Sequence, residues 1–320
     1  MGAPLDPFDR PPGEALPDGP FPPWEPPPYP PHPREVIVAP PPRPERRWIN
    51  VLLLLATIVT TTVAGAFLAG ADVLAEPMLL WRGIPFSASL LLILGVHESA
   101  HYILSRRHGL SVTLPYFIPA PSMIGTMGAV IRIKSHIGSR RALLDVGVSG
   151  PLAGFVVALP VTAVGLAMSQ VKPLAELGEE GINLGSSLLF ALLARLFAPP
   201  EGPGLSLVLH PVAFAGWVGL LVTAMNLLPV GQLDGGHIVR ALFGRRQQAI
   251  SKVALAALVP LGFLWEGWFV WAVVLLIMGW RHPPVFDDHV PLDRRRLILG
   301  WVALAVLALT FTPAPFSLAP

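Results

Sequence analysis

Long apolar runs, punctuated by basic clusters, restrict this chain more than any other feature. They extend from Trp48 to about Gly70, Ile84 to Leu104, Ala142 to Met168, Leu205 to Leu228, Val253 to Trp280 and Leu297 to Phe311. At about 1.5 Å of rise per residue, a helix of about 20 apolar residues crosses the hydrocarbon layer of a bilayer. Composition agrees, with 53% hydrophobic and 13% charged residues and a mean hydropathy of +0.61. A soluble domain carries about 25% charged residues, so this chain has too few to clothe a water-facing surface. The expected fold is an all-α polytopic membrane protein with about six or seven transmembrane helices. The chain has no cysteine, which excludes disulfides, thiolate ligands and a cysteine nucleophile. The net charge is only +2 and the basic residues sit beside apolar runs, so no nucleic-acid partner is expected.

The first 47 residues differ in kind, holding 18 of the 38 prolines. Such a segment cannot bury a core and reads as a disordered, Pro-rich cytoplasmic tail at 1–47. A docking segment for a partner with an aromatic groove is the second reading of that tail. It lacks the charged-then-apolar layout of a secretory signal, so no cleavage is expected. The remaining divisions are a first transmembrane helix at 48–78, a core at 79–246 and C-terminal transmembrane helices at 247–320.

Orientation follows from the distribution of Lys and Arg. Arg43, Arg46 and Arg47 precede the first run and argue for a cytoplasmic N-terminus. The segment from Arg106 to Arg141 carries six basic residues and no acidic one, and it is placed on the same side. The segment from Ser169 to Gly204, with Glu176, Glu179, Glu180 and Glu201 against Lys172 and Arg195, faces the opposite side. The stretch Val253–Trp280 is broken by Pro260 and by Glu266-Gly267. Reading it as two short helices keeps Arg281 and Arg294–Arg296 cytoplasmic. Leu184–Phe197 is too short to cross comfortably and is expected at the outer interface.

Residues 111–134 cannot form a regular helix, because Pro115, Pro119 and Pro121 interrupt them. Gly125 and Gly128 suggest tight turns, and Ala129–Lys134 alternates in a β-like pattern. An apolar non-helical segment beside a membrane must be covered by protein or line a wet cavity. A membrane-embedded β-hairpin or re-entrant loop is therefore expected.

The second run contains His97-Glu98-Ser99-Ala100-His101, an H-E-x-x-H pattern. On a helix, residues four apart share a face, so both imidazoles can reach one metal ion. Glu98 stands where it can take a proton from a water that the ion activates. An ionisable residue within a bilayer costs about 2.5–3.5 kcal/mol even on lenient scales, so three in five positions need a compensating partner. A third protein ligand is required. By type, His108, Asp145, His136, His210, Asp234 and His237 qualify. Asp234 follows the fourth run just past Pro229 and Gly231, and flanking charges put it on the same side as His97 and His101. A turn or cap role is the bland alternative for such an aspartate.

HESAH inside an apolar run, followed downstream by N-x-x-P-x-x-x-x-D-G at Asn226, Pro229, Asp234 and Gly235, resembles the site-2 protease family of intramembrane zinc metalloproteases, peptidase family M50. The likeness extends to Gly125-Thr126-Met127-Gly128-Ala129-Val130-Ile131 and to Ser149-Gly150-Pro151, covering roughly residues 80–245. The resemblance implies Zn2+ on His97, His101 and Asp234, with Glu98 as general base. It implies that Asn226 polarises the scissile carbonyl or holds the substrate backbone. It also implies substrate binding by Gly125, Thr126, Gly128, Ala129, Val130 and Ile131 as an added strand, with Asn226 and Pro229 beside them. The implied substrate is a single-span transmembrane protein met within the lipid bilayer. The loop from Ser169 to Gly204 has 36 residues, short of the roughly 50 of a small domain, so no PDZ domain is expected there, and with about nine residues after the last run no C-terminal CBS pair is expected either.

A metal transporter using the same His and Asp residues is the competing function. Transport calls for ligands along a path, whereas these cluster at one depth. Iron or cobalt could occupy the same ligands. His237 is expected as a partner of the metal ligands or a plain helix-start residue, His108 and His136 as solvated, and His210 on the wrong side for the metal. Gly150-Pro151 reads as a close-packing point or a kink. Trp265, Trp268, Trp271 and Trp280 read as interfacial anchors.

Overall fold

The computed structural model describes residues 46–176, 182–285, 287 and 290–318. Most of the expected Pro-rich tail, and Glu179 and Glu180 of the acidic loop, lie outside the described residues. The chain is mostly helical. Helix α1 spans Arg47–Leu68, and α2 spans Ile84–Arg107 after a 3₁₀ turn at Pro77–Gly83. Strands β1 (Tyr116–Pro119) and β2 (Thr126–Val130) precede α3 (Arg140–Ala167). Next come β3 (Gln170–Pro173), β4 (Ile182–Leu184), α4 (Leu188–Phe197), β5 (Leu205–Val208) and α5 (Pro211–Asn226). The chain continues through α6 (Asp234–Phe243), α7 (Gln247–Gly262), α8 (Gly267–Met278), α9 (Arg294–Thr310) and β6 (Phe316–Leu318).

Three helices, Arg47–Leu68, Pro77–Arg107 and Arg140–Ala167, are long and apolar enough to cross a membrane. The last of them is 56% buried against 33% for each of the others, which marks α3 as the central helix. Phe86, Leu90, Ile93 and Leu94 of α2 pack with Phe214, Trp217 and Leu220 of α5 into one apolar core. The hydroxyls of α1 are satisfied locally: Thr57 donates to the Leu53 carbonyl at 2.7 Å and Thr62 to Ile58 at 2.6 Å.

The all-α expectation needs amending, because three two-stranded antiparallel pairs, β1–β2, β3–β5 and β4–β6, lie among the helices. The hairpin β1–β2 falls inside the segment where prolines forbade a helix. Helix α1 clasps it with polar contacts. Asn50 Nδ2 donates to the carbonyls of Leu114 and Pro115 at 3.1 and 3.0 Å, and Thr60 Oγ1 to that of Gly125 at 2.6 Å. Gly125 has φ +77°, and a Cβ there would stand 2.5 Å from the Thr60 carbonyl oxygen, so only glycine fits.

Several expected boundaries shift for identifiable reasons. The first helix stops at Leu68, well before residue 78, because Gly70 takes φ +70° and breaks the helical path. The fourth run does not begin as a helix. Leu205–Val208 pairs with Gln170–Pro173, and α5 starts at Pro211, whose missing N–H suits a first turn. Pro260 does not interrupt α7; the break falls between Gly262 and Gly267. Trp268 is not an interfacial anchor. It is 1% exposed and its indole donates to the Pro313 carbonyl at 2.7 Å.

His108 is not solvated either. Its Nε2 lies 2.9 Å from Asp145 Oδ2, and Arg296 donates to both oxygens of that carboxylate from Nε at 2.9 Å and Nη2 at 2.7 Å. This cluster joins the end of α2, the first turns of α3 and the start of α9. His136 is exposed but bonds the Pro284 carbonyl at 2.8 Å.

Candidate metal centre

Helix α2 carries His97 and His101 one turn apart, both turned inward, at 4% and 5% exposure. Helix α6 supplies Asp234 at its first position, after Pro229, Gly231 and Leu233 redirect the chain leaving α5. The Nε2 atoms of His97 and His101 are 3.2 Å apart, and Asp234 Oδ2 lies 3.5 Å from the first and 3.2 Å from the second. The three potential ligand atoms all lie within 4.8 Å of one another, and this is the single such group of three or more among the described residues.

Hydrogen bonding fixes what those atoms are. His101 Nδ1 is 2.9 Å from the Val146 carbonyl, which can only accept, so Nδ1 carries the proton. A neutral His101 therefore presents a lone pair at Nε2. Asn226 Nδ2 reaches His97 Nε2 at 3.3 Å, so that nitrogen too is an acceptor. In that neutral form two imidazole nitrogens and a carboxylate oxygen converge, each able to offer a lone pair. Such a set fits a divalent cation, and two nitrogens with one oxygen is a set that zinc takes with a further position left for water.

Helix α3 makes room for this. A Cβ on Gly150 would stand 2.1 Å from His101 Nε2, and one on Gly154 would stand 3.2 Å from His97. The Gly150-Pro151 pair is thus a close-packing point inside a helix that continues through Pro151. Ser149 Oγ, 3.4 Å from His101 Nδ1, also donates to Val146. Sequence reasoning did not single out Val146 or Gly154. The one available signal was glycine spacing on α3 that matches histidine spacing on α2.

The remaining residues fall into place as follows. Glu98 is 6% exposed, and the Ile131 backbone just past β2 lies beside its carboxylate. Thr126, Gly128, Ala129 and Val130 form β2, where Ala129 pairs with Phe117 and Val130 with Tyr116. Gly125 holds the turn before β2. Pro229 turns its carbonyl to Ser251 Oγ at 2.7 Å, which secures the α5–α6 connection to α7. Asp145 is committed to Arg296 and His108, and His210 caps α5 by accepting from the Val212 N–H at 3.2 Å. His237 sits one turn beyond Asp234. Its Nδ1 is 2.7 Å from Nε2 of His282, a partner 45 residues away that sequence gave no reason to suspect. Burial, then the neighbouring His282, pushes His237 down to about 4.

The family model described as Peptidase family M50 matches residues 85–265. Among curated relatives, "Probable zinc metalloprotease EGY2, chloroplastic" of Arabidopsis thaliana is 31% identical over 241 residues, covering 75% of this chain and 43% of the relative. "Probable zinc metalloprotease EGY1, chloroplastic" of the same plant is 32% identical over 240 residues, covering 72% and 43%. "Probable zinc metalloprotease EGY3, chloroplastic" of Oryza sativa subsp. japonica is 29% identical over 258 residues, covering 72% and 42%. The chain spans less than half the length of these relatives.

Proposed function

The chain belongs to peptidase family M50, and on that premise we propose that it is an intramembrane zinc endopeptidase. It hydrolyses a peptide bond within or near a transmembrane segment of a single-span protein. The observation that carries this reading is the convergence of acceptor atoms from His97, His101 and Asp234 beside the buried Glu98. Names of the relatives as zinc metalloproteases support the choice of metal. Transport has less in its favour, since ligand groups strung along a path are what it needs and one compact group is what the described residues hold.

His97, His101 and Asp234 hold the ion. When bound, zinc supplies Lewis acidity, lowering the pKa of water toward about 7 and polarising a carbonyl. Glu98 accepts the proton of the attacking water and delivers it to the amine nitrogen as the C–N bond breaks. The Ile131 backbone borders that carboxylate. Asn226 donates its amide N–H toward the scissile carbonyl oxygen. Val146 keeps the His101 proton on Nδ1 throughout. A transmembrane helix hides its carbonyls, so the substrate must unwind locally. Pairing of its extended backbone along β2, at Thr126–Val130 and on to Ile131, compensates for the helical hydrogen bonds it loses.

The surrounding arrangement has six or seven spans: α1, α2, α3, α5 and α9, with α7–α8 crossing once or twice. The N-terminus and the metal centre face the cytoplasmic side and the β1–β2 hairpin dips into the membrane. The Pro-rich tail is solvated or engages a partner.

Replacement of Glu98 by Gln in the full chain tests the reading. Cleavage of a model one-span substrate stops while metal stays bound; unchanged cleavage removes Glu98 from the reaction. Full metal retention in both His97→Ala and Asp234→Ala overturns the ligand set.

A further inference from the structure

A cavity of about 360 Å³ opens at the base of the hairpin, next to the metal centre. One wall is the chain that continues β2, with Ile131 and Arg132; the other carries Gln232, His237 and His282. Both walls border the reacting groups. The Ile131 backbone lies beside Glu98, while Gln232 and His237 flank Asp234 in sequence. A peptide extended along β2 therefore passes Glu98 and runs on into this space.

The chemistry of the lining is one-sided. Among the described residues no Asp or Glu lines the cavity, and the exposed Arg132 brings a guanidinium to it. The His237 and His282 imidazoles are engaged with each other. His282 Nδ1 donates to the Pro283 carbonyl at 2.7 Å, so its Nε2 accepts from His237 Nδ1 at 2.7 Å. That leaves His237 Nε2 as an acceptor, suited to a peptide N–H.

We infer that this cavity reads the juxtamembrane flank of the substrate, admitting an acidic or amide side chain close to the scissile bond and turning away lysine and arginine. The inference rests on the peptidase reading and deepens it by naming the substrate class. Its consequence is selection by exclusion. Cytoplasmic flanks of membrane spans are enriched in Lys and Arg, so a subsite governed by Arg132 rejects most spans that reach the catalytic groups.

The test uses the full chain in detergent and one-span model substrates that differ at a single residue. Asp, Asn, Ala or Lys is placed in turn at each position just beyond the scissile bond. At one or more positions the unaltered protein cleaves the Asp and Asn substrates with kcat/KM roughly tenfold or more above the Lys substrate. Arg132→Gln erases the difference between Asp and Lys, and Arg132→Glu reverses it. Equal cleavage of Asp and Lys substrates at every position overturns the inference while leaving the peptidase intact. A preference that survives Arg132→Glu overturns it as well. Failure to cleave any member of the series, the Ala reference included, takes down the peptidase reading and this inference together.

Discussion

A methyl group on Gly150 would stand 2.1 Å from His101 Nε2, closer than any atom can approach without displacing the ring. One turn along α3, Gly154 meets His97 more loosely, at 3.2 Å. Gly150→Ala is expected to weaken zinc binding by at least the roughly 10–100-fold seen when groups supporting a metal ligand are altered, and Gly154→Ala by less. Metal-to-protein ratios across a chelator series measure both. Gly150→Ala that holds metal as tightly as the unaltered chain would show that α3 does not lie this close to α2.

The clasp between α1 and the hairpin predicts a graded loss of stability. Thr60→Val removes one hydrogen bond to the Gly125 carbonyl and should destabilise by about 1 kcal/mol. Gly125→Ala adds both a clash with the Thr60 carbonyl and a backbone at φ +77°, and should lose more. Thermal unfolding in detergent reads the order; Gly125→Ala at or above the Tm of Thr60→Val contradicts it.

Asp145 offers a third measurement. Its carboxylate is 15% exposed and Arg296 is 28% exposed, so the pair is partly screened. Arg296→Ala leaves the carboxylate with His108 alone. The expected loss is about 2 kcal/mol, below the roughly 3–5 kcal/mol of a fully buried broken pair. Arg296→Ala combined with Asp145→Asn should recover part of it, and a double variant no more stable than the single one argues against the pairing.

The His237–His282 pair gives a pH dependence with a definite sign. Burial lowers both pKa values below the usual 6.5, His237 to about 4. An unfolded chain takes up protons near 6.5 that the folded pair refuses. The contribution of the pair is therefore fully present above that pH and is lost as pH falls from 6.5 toward 4. The drop in Tm between pH 7 and pH 5 should be smaller in His237→Asn with His282→Asn than in the unaltered chain, compared in metal-free protein. An equal drop assigns the pH response elsewhere.

Much of the helical content was legible because long apolar runs have few alternatives, and because H-E-x-x-H has a fixed geometry on a helix. Pro115, Pro119 and Pro121 announced the non-helical segment, and the turn glycine at Gly125 announced a hairpin. The errors have physical origins. Leu205–Val208 is as apolar as the helix that follows it, and hydropathy alone does not tell a strand from a first turn. His108 reads as solvated in sequence because its partner Asp145 is 37 residues away, and Arg296, which fixes that carboxylate, is 151 residues further on. His282 and Val146 were invisible for the same reason. Support for a ligand comes from whatever the fold brings behind it, and a carbonyl oxygen carries no sequence signature at all.

The order in which the chain emerges from the ribosome gives one of these contacts a further meaning. The groups that gather at the metal are complete once Asp234 has been synthesised, yet the guanidinium that neutralises Asp145 arrives only with Arg296, and the imidazole that steadies His237 only with His282. A nascent polypeptide thus carries the three ligand residues and the α3 groups behind them before it carries Arg296 and His282, so the outer contacts of this region are the last to be made.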